Sequence, residues 1–224
     1  RIGQALSSLC ATLYKFFIDF RLLQSPPIGE WSEPFGSKQV GSSAMPFKRN
    51  PINSEKIDSL CRFVEAQQGV LWQNAASTLL ERTLDDSANR RLVLPELFLS
   101  VDEILSTAVK VVQGMQVHIA GIERNLASYG IFAASERLLM ELGKRGANRQ
   151  EMHELIREHS LKAWAEVQAG KPNTLKQMLC EDKTVRSFLQ KEAIEALLDA
   201  NQYTGDSAER TRKVIEEIRE ALSR

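Results

Sequence analysis

Three stretches of this chain carry apolar residues at spacings of three and four over more than twenty residues each. No other feature limits the possible folds so strongly. In residues 1–24, Ile2, Leu6, Leu9, Leu13, Phe16, Phe17, Phe20 and Leu23 fall on one face of a 3.6-residue period. Ser25-Pro26-Pro27 then ends the helix. Residues 51–80 continue the theme through Ile57, Leu60, Cys61, Val64, Leu71, Ala75 and Leu79, with Pro51 suited to the first helical position. At 1.5 Å per residue that second helix is about 45 Å long. A third stripe, from Leu92 to Val112, belongs to a helix starting near Ser87, with Asp85 or Asp86 as its N-cap, and running to Gly114. Pro95 is expected to kink it. Stripes this long exceed what one small chain can cover, so self-association into a larger helical core is expected. Uncharged Gln67, Gln68, Gln73 and Asn74 on the second helix suit packing against long helices of other subunits.

From about Val117 the pattern changes to shorter amphipathic elements punctuated by Gly130, Gly143, Gly146, Gly170 and Gly205. A domain boundary is therefore placed near 117. Asn148 with Glu151, and Asp206 with Glu209, read as capping boxes opening two of the later helices. No segment alternates like a strand, and the expected class is all-α. Lys+Arg and Asp+Glu both number 29, which excludes the global basic field of a nucleic-acid binder. No apolar run is long enough to span a bilayer as a helix, so no membrane partner is expected. Cys10, Cys61 and Cys180 show no metal-ligand spacing and read as reduced thiols of a cytoplasmic protein. Residue 1 is Arg rather than Met, and the sequence opens inside a helical pattern, which reads as a fragment.

Between the first two helices lies a long segment with little periodicity, residues 28–50, and a segment of that length in a compact chain tends to be functional. Glu30 and Glu33, flanking Trp31, would anchor its base. It closes with Gly41-Ser-Ser-Ala-Met-Pro-Phe-Lys-Arg-Asn50, which combines small residues, hydroxyls and two cations just before a helix N-terminus. Such a combination suits a carboxylate or a phosphate. A second cluster follows the second helix. Ser87 and Arg91 are four apart on one helix, and Arg82 precedes them on the turn. Two guanidinium groups and a hydroxyl there make either a phosphate site or a salt-bridge knot with Glu81, Asp85 and Asp86.

The segment Gly41–Asn50 resembles the G-S-S-x-M-P-x-K-x-N signature of the fumarase/aspartase superfamily. With Pro51, and with Glu81-Arg-Thr-Leu-Asp-Asp-Ser-Ala-Asn-Arg-Arg91, the chain is similar to the adenylosuccinate lyases within it. The resemblance implies a long-helix bundle ending near 117 and a smaller all-α C-terminal domain from 118 to 224. It implies a β-elimination releasing fumarate from a succinyl-amino nucleotide, without metal or organic cofactor. The base would be Ser42, an alkoxide stabilised in a closed, cation-lined pocket. Lys48, with a part in catalysis as well, and Asn50 would hold the succinyl carboxylates. Ser43 and Met45 would also touch substrate. Glu55 would orient the histidine that protonates the leaving group. Lys56 stands where relatives carry an arginine, and it keeps the charge without the planar fork. Arg82, Ser87 and Arg91 would bind the nucleotide.

His118, His153 and His159 all fall outside the family's histidine-bearing segments, so the general acid is expected from sequence that this chain lacks. The implied partners are the nucleotide substrate, fumarate and three further copies of the subunit, with each site shared between subunits of a homotetramer. The chain alone would be inactive. Rival readings are another lyase of the superfamily, of argininosuccinate or fumarase type, a non-catalytic relative reused as a lens protein, or a plain helical scaffold.

Overall fold

The computed structural model describes residues 1–36, 45 and 48–223. The chain folds as two compact units, Arg1–Ile122 and Glu123–Arg224, where the sequence pattern suggested a boundary near 117.

In the first unit the three apolar stripes become α1 (Ile2–Gln24), α2 (Ile52–Ala76) and α3 (Asp86–Gly114), packed against one another along their lengths. Their shared core consists of Cys10, Phe17 and Phe20 from α1, Ile57, Cys61 and Val64 from α2, and Val93, Leu97, Val101, Ile104, Ala108 and Val111 from α3. The expected all-α class holds among the described residues, with one local exception. Trp31–Ser32 (β1) pairs antiparallel with Gln116–Val117 (β2), a bridge too short to leave any alternating pattern in the sequence. The Trp31 ring packs on Phe20, with centroids 5.6 Å apart. The His118 N–H donates to the Glu30 carbonyl at 2.7 Å. Gly121 lies so close to this segment that an added Cβ would sit 2.2 Å from the Gly29 carbonyl oxygen. Only glycine fits there.

Several expected boundaries shift. Pro51 is the N-cap of α2 rather than its first helical residue, and it supplies no side-chain cap bond. α2 stops at Ala76, four residues short of the predicted Leu80, which is fully exposed with φ of 50°. α3 begins with Asp85 at its N-cap, but that carboxylate makes no cap bond, and the helix runs without a break through Pro95. Asn74 does not wait for another subunit: it exchanges amide hydrogen bonds of 2.7 and 2.9 Å with Asn89 of α3.

The chain continues through α4 (Ile119–Asn125), a π-turn (Leu126–Gly130) and α5 (Ile131–Lys144). The second unit adds α6 (Arg149–Gln168), α7 (Leu175–Glu181), α8 (Lys183–Phe188), α9 (Lys191–Leu197) and α10 (Ser207–Leu222). Its core gathers Leu138, Leu142, Met152, Ile156, Leu175, Leu179, Val185 and Ile194, among others, from α5 to α9. The Asn148 side chain caps α6, accepting from the N–H groups of Gln150 and Glu151 at 3.0 and 3.4 Å. The second expected capping box does not form. Asp206 makes no cap bond and instead receives Arg210 Nε at 2.7 Å, one turn into α10. No described helix is long and apolar enough to cross a membrane.

Candidate active site

The first unit carries a cavity of about 850 Å³ between the C-terminal end of α1, the segment 29–32 that ends in β1, and the N-terminal end of α2. Lys48, Asn50 and Glu55, three of the residues singled out by the family resemblance, all line it. Lys48 and Glu55 are exposed and Asn50 is half-buried. A short turn sets this order: Lys48 N–H donates to Met45 O, Ile52 N–H to Asn50 O and Glu55 N–H to Pro51 O, each at 2.9 Å. Glu55 thereby sits on the first turn of α2. Met45 is exposed. Arg49 stacks over the Phe35 ring at 4.7 Å and also lines the cavity. Ser42 and Ser43 lie outside the described residues. Lys56 does not line the cavity; it turns toward α3 and pairs with Glu103 at 2.6 Å. That contact holds the Glu103 carboxyl below its usual range.

The helix N-terminus does not offer its N–H groups to a ligand, contrary to the sequence reading. Glu33 already occupies them. Its carboxylate is buried, at 6% exposure, and accepts from Ser54 N–H and Ser54 Oγ, both at 2.6 Å. It also accepts from Asn53 Nδ2 at 2.8 Å and Asn53 N–H at 3.3 Å. Gln24 binds the other side of this junction, accepting from Glu33 N–H at 2.8 Å and donating to the Arg49 carbonyl at 3.1 Å. Glu33 thus caps α2 from 20 residues away, where Pro51 supplies no cap.

Two cavity residues carried no signal in the sequence. Arg21 lies near the C-terminal end of α1, between the apolar positions Phe20 and Leu23. Its Nη1 donates to Asp58 Oδ2 at 2.8 Å. Asp58 is fully buried, and its other oxygen has no hydrogen-bond partner among the described residues. Burial pushes the Asp58 carboxyl above its ordinary value even though the Arg21 bond pulls the other way. His118 also lines the cavity, with Nε2 at 2.9 Å from Ser32 Oγ. The β1–β2 bridge brings it there from 86 residues along the chain. His159 is elsewhere, in the second unit, with Nε2 3.0 Å from Asp182 Oδ2. His153 lines a smaller cavity of that unit with Arg149 and Arg157.

At the second cluster Arg91 donates to both the carbonyl and the hydroxyl of Ser87, so these two residues do share a face of α3. Arg82 is exposed on the preceding turn. Asp86 pairs with Arg90 at 3.1 Å. Among the described residues no ion pair joins Arg82 or Arg91 to Glu81, Asp85 or Asp86, so the salt-bridge knot is absent. No group of three or more His, Cys, Asp or Glu side chains is placed to hold a metal ion among the described residues.

Comparisons with known proteins agree with one another. Residues 2–65 match a family model described as lyase, and residues 132–214 match one described as adenylosuccinate lyase C-terminus. An adenylosuccinate lyase of Archaeoglobus fulgidus is 35% identical over 223 residues, covering 97% of this chain and 48% of that protein. One of Schistosoma mansoni is 44% identical over 183 residues, covering 81% of this chain and 38% of that protein. Among solved structures, the 3-carboxy-cis,cis-muconate lactonizing enzyme of Pseudomonas putida superposes with a TM-score of 0.81 at 26% identity, covering 96% of this chain and 47% of that one. The chain therefore spans about half, or less, of the length of the relatives it matches. The fold likeness reaches across the superfamily, but the higher sequence identities and the C-terminal family model both point to one branch of it, and this chain belongs to the adenylosuccinate lyase family.

Proposed function

We propose that the protein containing this chain is a C–N lyase that releases fumarate from adenylosuccinate, giving AMP, and from the succinylated aminoimidazole carboxamide ribotide of purine synthesis. The observation that carries this reading is the shared cavity of Lys48, Asn50 and Glu55. An ammonium and an amide donor there can hold the succinyl carboxylates. Ser42 takes the Cβ proton, and the electron pair of the Cβ–H bond forms the fumarate double bond as the C–N bond breaks. The leaving nitrogen needs an acid. Glu55 orients and polarises a histidine that comes from outside this chain, in a site shared between subunits of a homotetramer. Arg82, Ser87 and Arg91 hold the nucleotide, and no cofactor takes part. Residues 1–117 then end the central bundle domain, and 118–224 form the C-terminal domain of a cytoplasmic enzyme. By itself the chain is inactive.

The test is fumarate formation from adenylosuccinate by the whole protein. Ser42→Ala should lower turnover by about 10²–10⁴-fold, the usual range for a lost general base, while substrate still binds. Ser43→Ala should cost far less. His118→Gln belongs in the same series. If it abolished turnover while substrate still bound, the acid would lie in this chain after all. A parent protein releasing no fumarate would overturn the reading.

A further inference from the structure

From the four hydrogen bonds that Glu33 accepts at the start of α2, we infer that it is a positioning residue for the succinyl end of the substrate. Its carboxylate does there what a bound anion would otherwise do. This rests on the function proposed above.

Three observations support it. A carboxylate that is almost fully buried is costly unless every oxygen is satisfied, and both oxygens of Glu33 are satisfied twice. The bonds come from residues 53 and 54, immediately after the Lys48–Pro51 turn, so they fix the point at which the signature segment enters the helix. Gln24 then joins the backbone of Glu33 to that of Arg49, closing a second link across the same junction. Lys48 and Asn50 therefore stand on a turn held from both sides, and their place on the cavity wall depends on a residue that does not itself line the cavity.

The arrangement has a consequence for substrate recognition. With the helix N-terminus filled by Glu33, a substrate carboxylate is left to the side chains of Lys48 and Asn50 and to whatever other subunits contribute. Loss of Glu33 should then damage recognition of the succinyl group selectively. Nucleotide recognition, assigned to Arg82, Ser87 and Arg91, should be spared.

The experiment uses the whole protein with Glu33→Ala and Glu33→Gln. Affinity is measured for adenylosuccinate and, separately, for AMP, which lacks the succinyl carboxylates. Small misplacements of binding groups can cost about 10²-fold. Glu33→Ala is therefore expected to lose on the order of 10²-fold in affinity for adenylosuccinate and to keep that for AMP. Sodium formate should restore much of the loss by filling the vacated position, whereas sodium chloride at equal ionic strength should not. Glu33→Gln keeps the size but turns an amide donor toward one of the two donor pairs, of Asn53 or of Ser54, so it should show the same selectivity in a smaller measure. Unchanged adenylosuccinate affinity in Glu33→Ala would overturn the proposal. So would a parallel loss of both ligands in both variants without formate rescue. A parent protein that bound neither ligand would overturn the functional reading and this role with it. That outcome is recognisable, because hydrogen exchange at the Asn53 and Ser54 amides reports the Glu33 contacts without any ligand.

Discussion

In the first unit Leu22, Trp72, Leu92, Phe98 and Leu99 all stand more than half exposed, spread over three long helices. In the second, five shorter helices enclose a core from Ala134 to Leu198, and its exposed aliphatic residues gather largely on α10, at Val214, Ile215, Ile218 and Leu222. The difference follows from helix length. Helices of 23, 25 and 29 residues lying side by side bury one seam and leave their flanks bare. Short helices joined by tight turns can surround a centre. The second unit therefore encloses its core within itself, while the first leaves apolar flanks on its three long helices uncovered among the described residues.

The largest expected effect tests the self-contained core. Leu138 is fully buried, and Leu138→Ala should cost about 2–5 kcal/mol in the second unit, read from urea unfolding followed by tryptophan fluorescence of Trp164. Leu99→Ala, on an exposed flank of α3, should change the unfolding of an isolated chain by only about 0.5 kcal/mol or less. If the exposed flanks are covered by other copies, Leu99→Asp should instead shift the mass measured by light scattering toward monomer. A costly Leu99→Ala in a monodisperse monomer would erase the contrast between the units.

The next effect concerns the buried polar group that the first unit places in its seam. Arg21→Ala leaves the Asp58 carboxylate buried without its counterion. Breaking a buried pair typically costs about 3–5 kcal/mol, but Arg21 is partly exposed and water can substitute for it, so about 2 kcal/mol is expected near neutral pH. The pH dependence has a definite sign. Burial raises the folded-state pKa of Asp58 above its ordinary 3.8, so its favourable contribution is present below that value and lost as pH rises through the raised one. The deficit of Arg21→Ala should therefore shrink as the solution is acidified toward about pH 4, seen as converging melting temperatures. A deficit independent of pH would mean that the guanidinium acts through packing alone.

The features that were readable in the sequence are the ones set by neighbouring residues. The stripe of Phe16, Phe17 and Phe20 marks α1, and Ser25-Pro26-Pro27 marks its end, because both are local. The end of α2 was misplaced for a related reason. Leu79 and Leu80 extend the apolar spacing, but both stand exposed among the described residues, so the pattern continues while the helix does not. At the candidate site, Lys48 and Asn50 of the signature and Glu55 just after it are close in sequence and share a cavity. Glu33, Arg21 and His118 reach the same region through a 20-residue cap, a helix-to-helix ion pair and a two-residue bridge. The loop's composition already suggests Glu33 as an anchor of its base, but no spacing rule names the partners of these three residues, which appear only once the helices are packed.

The smallest effect distinguishes two caps that look alike in the sequence. Asn148 and Asp206 each precede an acidic residue by three, and each opens an amphipathic helix of the second unit. Only Asn148 accepts from the helix N–H groups, and its amide also donates to Glu151 at 3.1 Å. It holds α6, whose Met152, Ile156 and Ala163 are in the core. Asp206 is drawn away by Arg210, and α10 buries no residue. Asn148→Ala should thus cost about 1 kcal/mol, the usual worth of an N-cap. Asp206→Ala should cost a few tenths of a kcal/mol at most, since it removes only an exposed pair between adjacent turns. Thermal unfolding of the two variants side by side decides the matter. Equal losses would mean that α10 is held as firmly as α6, and the second unit would then not be the self-contained core that sets it apart from the first.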